Sequence, residues 1–131
     1  MILLDTHTFL WWTDNAKELP VTARRAIERE RLKGEIAISA ISVWEVGKLV
    51  AKDRLKLRVD IDTWLDDVIA IPFLRVIPID AFIAKTSVFL PNWSHKDPAD
   101  RFIVATALRF GVSLVTGDST IRAYKQVRTI W

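Results

Sequence analysis

The chain has 131 residues, half of them apolar, which is enough for one domain with its own core; its four glycines and five prolines are too scattered to mark a linker. Cysteine is absent, so disulfide scaffolds, thiolate nucleophiles and thiolate-ligated zinc are excluded. A net charge of +3 and a pI near 9.4 are compatible with a polyanionic partner without establishing one.

In chain order, Met1–Asp5 reads as a short buried strand. It is not a signal peptide, because it lacks a basic leader and is cut by Asp5 and His7. No apolar run reaches the ~18 residues of a membrane span, and a soluble cytoplasmic protein is expected. Val21–Lys33 is a charged amphipathic helix stopped by Gly34, followed by a strand over Ile36–Ala40. Ser42–Lys52 carries Val43, Trp44, Val46, Leu49 and Val50 at helical spacing. Asp62–Ala70 reads as a helix, Leu74–Ile79 as a strand, and Ala81–Leu90 as a helix halted before Pro91. Pro98–Phe110 is apolar nearly all round, so it predicts a largely buried helix ended by Gly111. A strand over Val112–Thr116, a short helix near Ser119–Lys125 and a last strand over Val127–Trp131 complete the pattern.

None of the strand segments alternates cleanly, as suits strands covered on both faces of a parallel sheet. Strands alternating with helices predict an α/β/α sandwich around a central, mainly parallel five-stranded sheet, within a single domain over 1–131. Ligands in such sheets bind at the carboxyl ends of the strands. Four acids fall there: Asp5 at the end of the first strand, Glu45 in the first turn after the second, Asp100 in the first turn of the buried helix, and Asp118 after the fourth strand.

Each acid also has a purely structural reading. Ser42-Val43-Trp44-Glu45 has the form of a capping box, Asp97-Pro98-Ala99-Asp100 that of an N-cap, a first-turn proline and a dipole-favoured acid, and Asp118 or Ser119 suits a cap. Asp5 is harder to explain so, because a carboxylate closing a buried strand needs a partner. Converging carboxylates would repel and recruit a cation. Oxygen donors favour Mg²⁺ or Mn²⁺ over zinc, and the two histidines, His7 and His95, have no ligand-like spacing.

The segments Leu3-Leu4-Asp5-Thr6-His7-Thr8-Phe9-Leu10-Trp11, Ser42-Val43-Trp44-Glu45, His95-Lys96-Asp97-Pro98-Ala99-Asp100-Arg101-Phe102-Ile103-Val104-Ala105-Thr106-Ala107 and Val115-Thr116-Gly117-Asp118 resemble those of PIN-domain ribonucleases, above all the VapC toxins of type II toxin–antitoxin (VapBC) pairs. The resemblance spans essentially the whole chain. It implies a PIN-like fold, a Mg²⁺- or Mn²⁺-dependent endoribonuclease leaving 5′-phosphate and 3′-hydroxyl ends, an antitoxin that blocks it, and a homodimer. By position, Asp5, Glu45, Asp100 and Asp118 match the family's acids, and Asp97 reads as a cap or supporting acid. Asp53 stands where relatives often have glycine.

On this reading Asp5 and Asp100 hold the ion, Asp118 binds through water or holds a second ion, and Glu45 orients or deprotonates the attacking water. Thr6 and Thr116 sit beside the acids and are able to bond a carboxylate or a water. Arg101 either contacts the scissile phosphate or pairs with Asp97, pairing being favoured. Lys48, Lys52, Arg54, Lys56 and Arg58 either guide RNA or form a solvated helix end, and Trp11 and Trp12 either line an antitoxin groove or pack in the core. Two rival readings keep the fold: a PIN nuclease of RNA maturation with no antitoxin, and an inactive interaction module, which four intact acids argue against. An aspartyl-nucleophile phosphotransferase needs a second Asp two residues after the first, where this chain has His7.

Overall fold

Three-residue and four-residue apolar segments form the middle of the molecule, and helices close over both faces. The structure is a computed structural model describing all 131 residues. The elements run β1 (Ile2–Leu4), α1 (Thr6–Thr13), α2 (Val21–Leu32), β2 (Ile36–Ser39), α3 (Ala40–Ala51), α4 (Ile61–Ala70), β3 (Leu74–Ile77), α5 (Ala81–Val88), α6 (Pro98–Phe110), β4 (Ser113–Val115), α7 (Ser119–Ala123) and β5 (Thr129–Ile130). The five strands lie in the order β3-β2-β1-β4-β5, and every pairing is parallel. The expected α/β/α sandwich is therefore present, with a sheet that is parallel throughout.

The pleat sends alternate residues to opposite layers. Leu3, Ala37 and Leu114 pack with Ile83, Ile103, Val104 and Ile121 beneath α5, α6 and α7. Ile2, Leu4, Ile36, Ile38 and Val115 pack with Phe9, Ala23, Ile27 and Val68 beneath α1, α2 and α4. Strands covered on both sides have no polar face, which is why none of them alternates.

α6 follows its sequence signals: Asp97 caps it, Pro98 opens it, and Gly111 ends it in the left-handed conformation at φ 62°. Asp60 and Asp80 cap α4 and α5 through the amides of Thr63 and Ile83. Two features differ from expectation. The sequence pattern gives no helix at Thr6–Thr13, yet α1 forms there. Its threonines and tryptophans are middling helix formers with no polar face to betray the period; it is held by the Asp5 cap and by burial of Phe9 and Leu10.

The second difference is at α3. It begins at Ala40, capped by Ser39, whose hydroxyl accepts from the Ile41 amide at 3.2 Å. Ser42 is therefore inside the helix, the capping box does not form, and Glu45 lies in the second turn with its side chain free for a tertiary contact. Past the end of α3, Asp53 takes φ 55°, a left-handed conformation that glycine adopts without cost.

Candidate active site

The parallel register sets Leu4 level with Ile38 and Val115, so the next residues, Asp5, Ser39 and Thr116, share one height at the carboxyl rim of the sheet. Asp5 is 8 % exposed and well partnered. Its Oδ1 accepts from the Thr8 amide at 2.7 Å, capping α1, and its Oδ2 accepts from the Thr116 hydroxyl. A carboxylate held by two donors is fixed in direction.

Glu45 projects from α3 toward the same rim. Its Oε1 accepts from the Thr6 hydroxyl, which lies 2.9 Å from the Ser42 hydroxyl. Thr6 has one proton to give, so with Glu45 ionised the Ser42 hydroxyl donates to Thr6. Asp118 caps α7, its Oδ1 accepting from the Ile121 amide at 2.9 Å. Asp97 caps α6 through Oδ1 to the Ala99 amide at 3.0 Å. His95 Nε2 lies 2.6 Å from Asp100 Oδ2. Glu45 Oε2, Asp97 Oδ2, Asp100 Oδ1 and Asp118 Oδ2 have no protein partner. Capping and ligation are thus not exclusive here: a carboxylate caps with one oxygen and offers the other.

The structure brings Asp5, Glu45, Asp100 and Asp118 together, and Asp97 with them, in one cavity of about 410 Å³. Thr6, His7, Trp11, Gly117 and Trp131 complete its lining. Thr6 and Thr116 each bond a carboxylate. Arg101 does not belong to the cavity and does not pair with Asp97. Its guanidinium donates instead to the Ser87 carbonyl at 3.3 Å, because its position on α6 faces α5 rather than the rim.

The tryptophan pair divides. Trp11 lies on the cavity wall 5.9 Å from Trp131, while Trp12 packs against Phe9 and Phe73 and donates to Glu28. Of the basic stretch, Lys48 sits over the Trp44 ring and Lys56 and Arg58 border a separate apolar groove. His7, His95, Gly117 and Trp131 are not legible as site residues from spacing. Gly117 has a steric reason: a Cβ there would come within 2.6 Å of the Trp131 ring.

Crowded acids shift one another. Burial, then the charges of Asp97 and Asp118, push the Asp100 carboxyl up to about 7 against the opposing contact with His95. Burial likewise raises Glu45, followed by repulsion from Asp97 and Asp5; the Thr6 hydroxyl and His7 oppose it. Such a cavity is relieved by protonation or by a cation. Its oxygen-rich donor set, with no thiolate anywhere in the chain, fits a hard divalent ion with open positions for water.

Fold and cavity together define a parallel α/β domain with an acidic cavity at the carboxyl ends of its strands. The sequence matches the PIN-domain model over residues 2–127, and the chain belongs to the PIN-domain family. It is 36% identical to Ribonuclease VapC22 of Mycobacterium tuberculosis over 132 aligned residues, covering 99% of this chain and 98% of that one. Among solved structures it is similar to VapBC2 of Rickettsia felis bound to a promoter DNA fragment, with TM-score 0.71 and 19% identity over 98% of this chain and 97% of that one. It is similar also to FitAcB of Neisseria gonorrhoeae, with TM-score 0.67 and 24% identity over 98% and 96% of the two chains. At these identities the solved structures speak for the fold.

Proposed function

We propose that this chain is a Mg²⁺- or Mn²⁺-dependent endoribonuclease, the toxin of a type II toxin–antitoxin pair, and that Asp5, Glu45, Asp100 and Asp118 do its chemistry. The observation that carries the reading is the cavity itself: carboxylates from separate segments share one space although each raises the cost of the others. The 36% identity to a ribonuclease along nearly the whole chain supports the substrate class.

A bound divalent ion lowers the pKa of a water and opposes the charge that builds on the phosphoryl oxygens. The protein's part is positioning and proton transfer. Asp5, fixed by Thr8 and Thr116, would hold the ion with Asp100, and Asp118 would add its charge from the same rim. Asp97 caps α6 with Oδ1 and leaves Oδ2 free at the cavity. Water adds its oxygen to phosphorus in line with the departing 3′ oxygen. Glu45 Oε2, the oxygen that Thr6 does not hold, takes the water's proton. The 3′ oxygen leaves with a proton from solvent, giving 3′-hydroxyl and 5′-phosphate ends.

The partner is a VapB-like antitoxin, as the VapBC complexes among its structural neighbours support. Phe82 and Phe89, 63% and 73% exposed on and just beyond α5, offer apolar area for a second copy of the chain. No helix is long and apolar enough to cross a membrane, and we place the protein in the cytoplasm. The test is RNA cleavage by the purified chain. Cutting that requires Mg²⁺ or Mn²⁺, stops with a chelator and is suppressed by the co-expressed antitoxin supports the reading. Cleavage at an equal rate in chelator overturns it.

A further inference from the structure

The two histidines are 88 positions apart in sequence, His7 and His95, and neither forms a metal-binding spacing with the other. The turn into α6 nevertheless delivers one of them to the acids. His95 Nε2 stands 2.6 Å from Asp100 Oδ2, its only hydrogen-bond partner. One donor atom each from His95, Asp97 and Asp100 lies within 4.8 Å of the other two. The imidazole is 29% exposed, open to an arriving ion, and the Trp93 ring packs against it edge-on at 5.8 Å, which fixes its plane.

The spacing suits a common ion. Bonds of about 2.1 Å place neighbouring donors about 3 Å apart and opposite donors about 4.2 Å apart. The observed set, within 4.8 Å, lies close to that range. Both acids have an oxygen to spare, since Asp97 caps through Oδ1 and Asp100 meets His95 through Oδ2. Asp97 itself is held by its cap to the Ala99 amide, with Pro98 at the first helical position.

We infer that His95 is a nitrogen ligand, with Asp97 and Asp100, to the divalent ion of the cavity, so that the protein selects Mn²⁺ and related transition ions over Mg²⁺. This inference rests on the metal-dependent reading above and adds the donor that decides which ion is held. Mg²⁺ is satisfied by carboxylates and water and gains little from imidazole, whereas affinity for nitrogen donors rises from Mn²⁺ toward zinc and copper. The alternative is that His95 keeps its hydrogen bond to Asp100 and only positions that carboxylate.

The experiment uses Mn²⁺ added to the whole metal-free chain, read by pulsed electron paramagnetic resonance for coupling to ¹⁴N and by titration calorimetry for affinity. Wild type shows a directly bound nitrogen. His7→Gln, which removes the other imidazole beside the cavity, retains it. His95→Gln loses the nitrogen signal and weakens Mn²⁺ binding by about tenfold or more while Mg²⁺ affinity stays within about twofold. Glutamine can still donate to Asp100, so a purely positioning role is rescued by it; His95→Asn provides a second variant of different reach. Mn²⁺ bound without nitrogen coupling, or a coupling that survives in both His95 variants, overturns this inference and leaves the nuclease reading intact. A wild-type chain that binds no divalent ion overturns both.

Discussion

Two hollows of similar size meet α1 and have opposite chemistry. The acidic cavity, about 410 Å³, takes Thr6, His7 and Trp11 from that helix. A groove of about 370 Å³ takes Leu10, Thr13 and Asp14 from it and is otherwise walled mainly by Leu55, Leu57, Val59, Trp64, Val68 and Ile71. The cavity is built from directed bonds: Thr116 and Thr8 hold Asp5, Thr6 holds Glu45, and His95 meets Asp100. The groove is built from contact area. In the first, changing one atom without changing volume destroys the property; in the second, volume is what counts.

The largest expected effect breaks the cavity and spares the fold. Asp5→Asn and Asp100→Asn reduce single-turnover RNA cleavage by roughly a thousandfold or more. Each removes a charge from a repulsive cluster, so the metal-free Asp100→Asn protein melts no lower than wild type. Wild-type cleavage by either variant would mean the chemistry lies elsewhere. Next, Glu45→Gln lowers kcat by about a hundredfold and leaves divalent-ion affinity largely in place, as expected of a base rather than a principal ligand.

The converse substitution is in the groove. Trp64 meets the Phe9 ring edge-on at 6.5 Å, and Trp64→Ala costs about 2 kcal/mol in denaturant unfolding. Cleavage per folded molecule is unchanged; a matching loss of activity would show that the two hollows are not independent.

A smaller effect follows from pH. The folded pKa of Asp100, about 7, lies above that of an unfolded aspartate. Folded chains therefore bind the extra proton in the interval between, and the stability of the metal-free protein falls as pH rises toward and through 7. Glu45 shifts in the same direction. Ion affinity runs the other way, increasing over the same interval because protons no longer compete. Calorimetric titration with Mn²⁺ across that interval checks the sign. Smallest is Asp53→Gly, which relieves a left-handed aspartate at φ 55° and gains about 0.5–1 kcal/mol with activity unchanged.

What could be read in the sequence was what short-range rules determine. Ile2–Leu4 and Ile36–Ile38 are apolar on both faces, and α6 carries Pro98 at its start and Gly111 at its end. The acids were visible as residues placed where such sheets bind ligands. Their bonds were not, because those run between distant segments: Thr6 to Glu45 spans 39 positions and Thr116 to Asp5 spans 111. α1 was hidden because its stability comes from the core it packs on rather than from its own residues. The capping-box pattern at Ser42 misled for a related reason, since Ser39 stood closer to the strand end and took the cap. The contact of His95 with Asp100 is not legible in spacing, because its partner, five residues on, is reached through a turn and not along a helix face.

The sheet order has a consequence for a chain still being made. β1 is the first strand synthesised, yet it lies at the centre, and its neighbour β4 is nearly the last. Asp5 therefore has no Thr116 to bond until most of the sheet has been made. A nascent polypeptide stalled before that point lacks both Thr116 and Asp118, so its acidic cavity is incomplete.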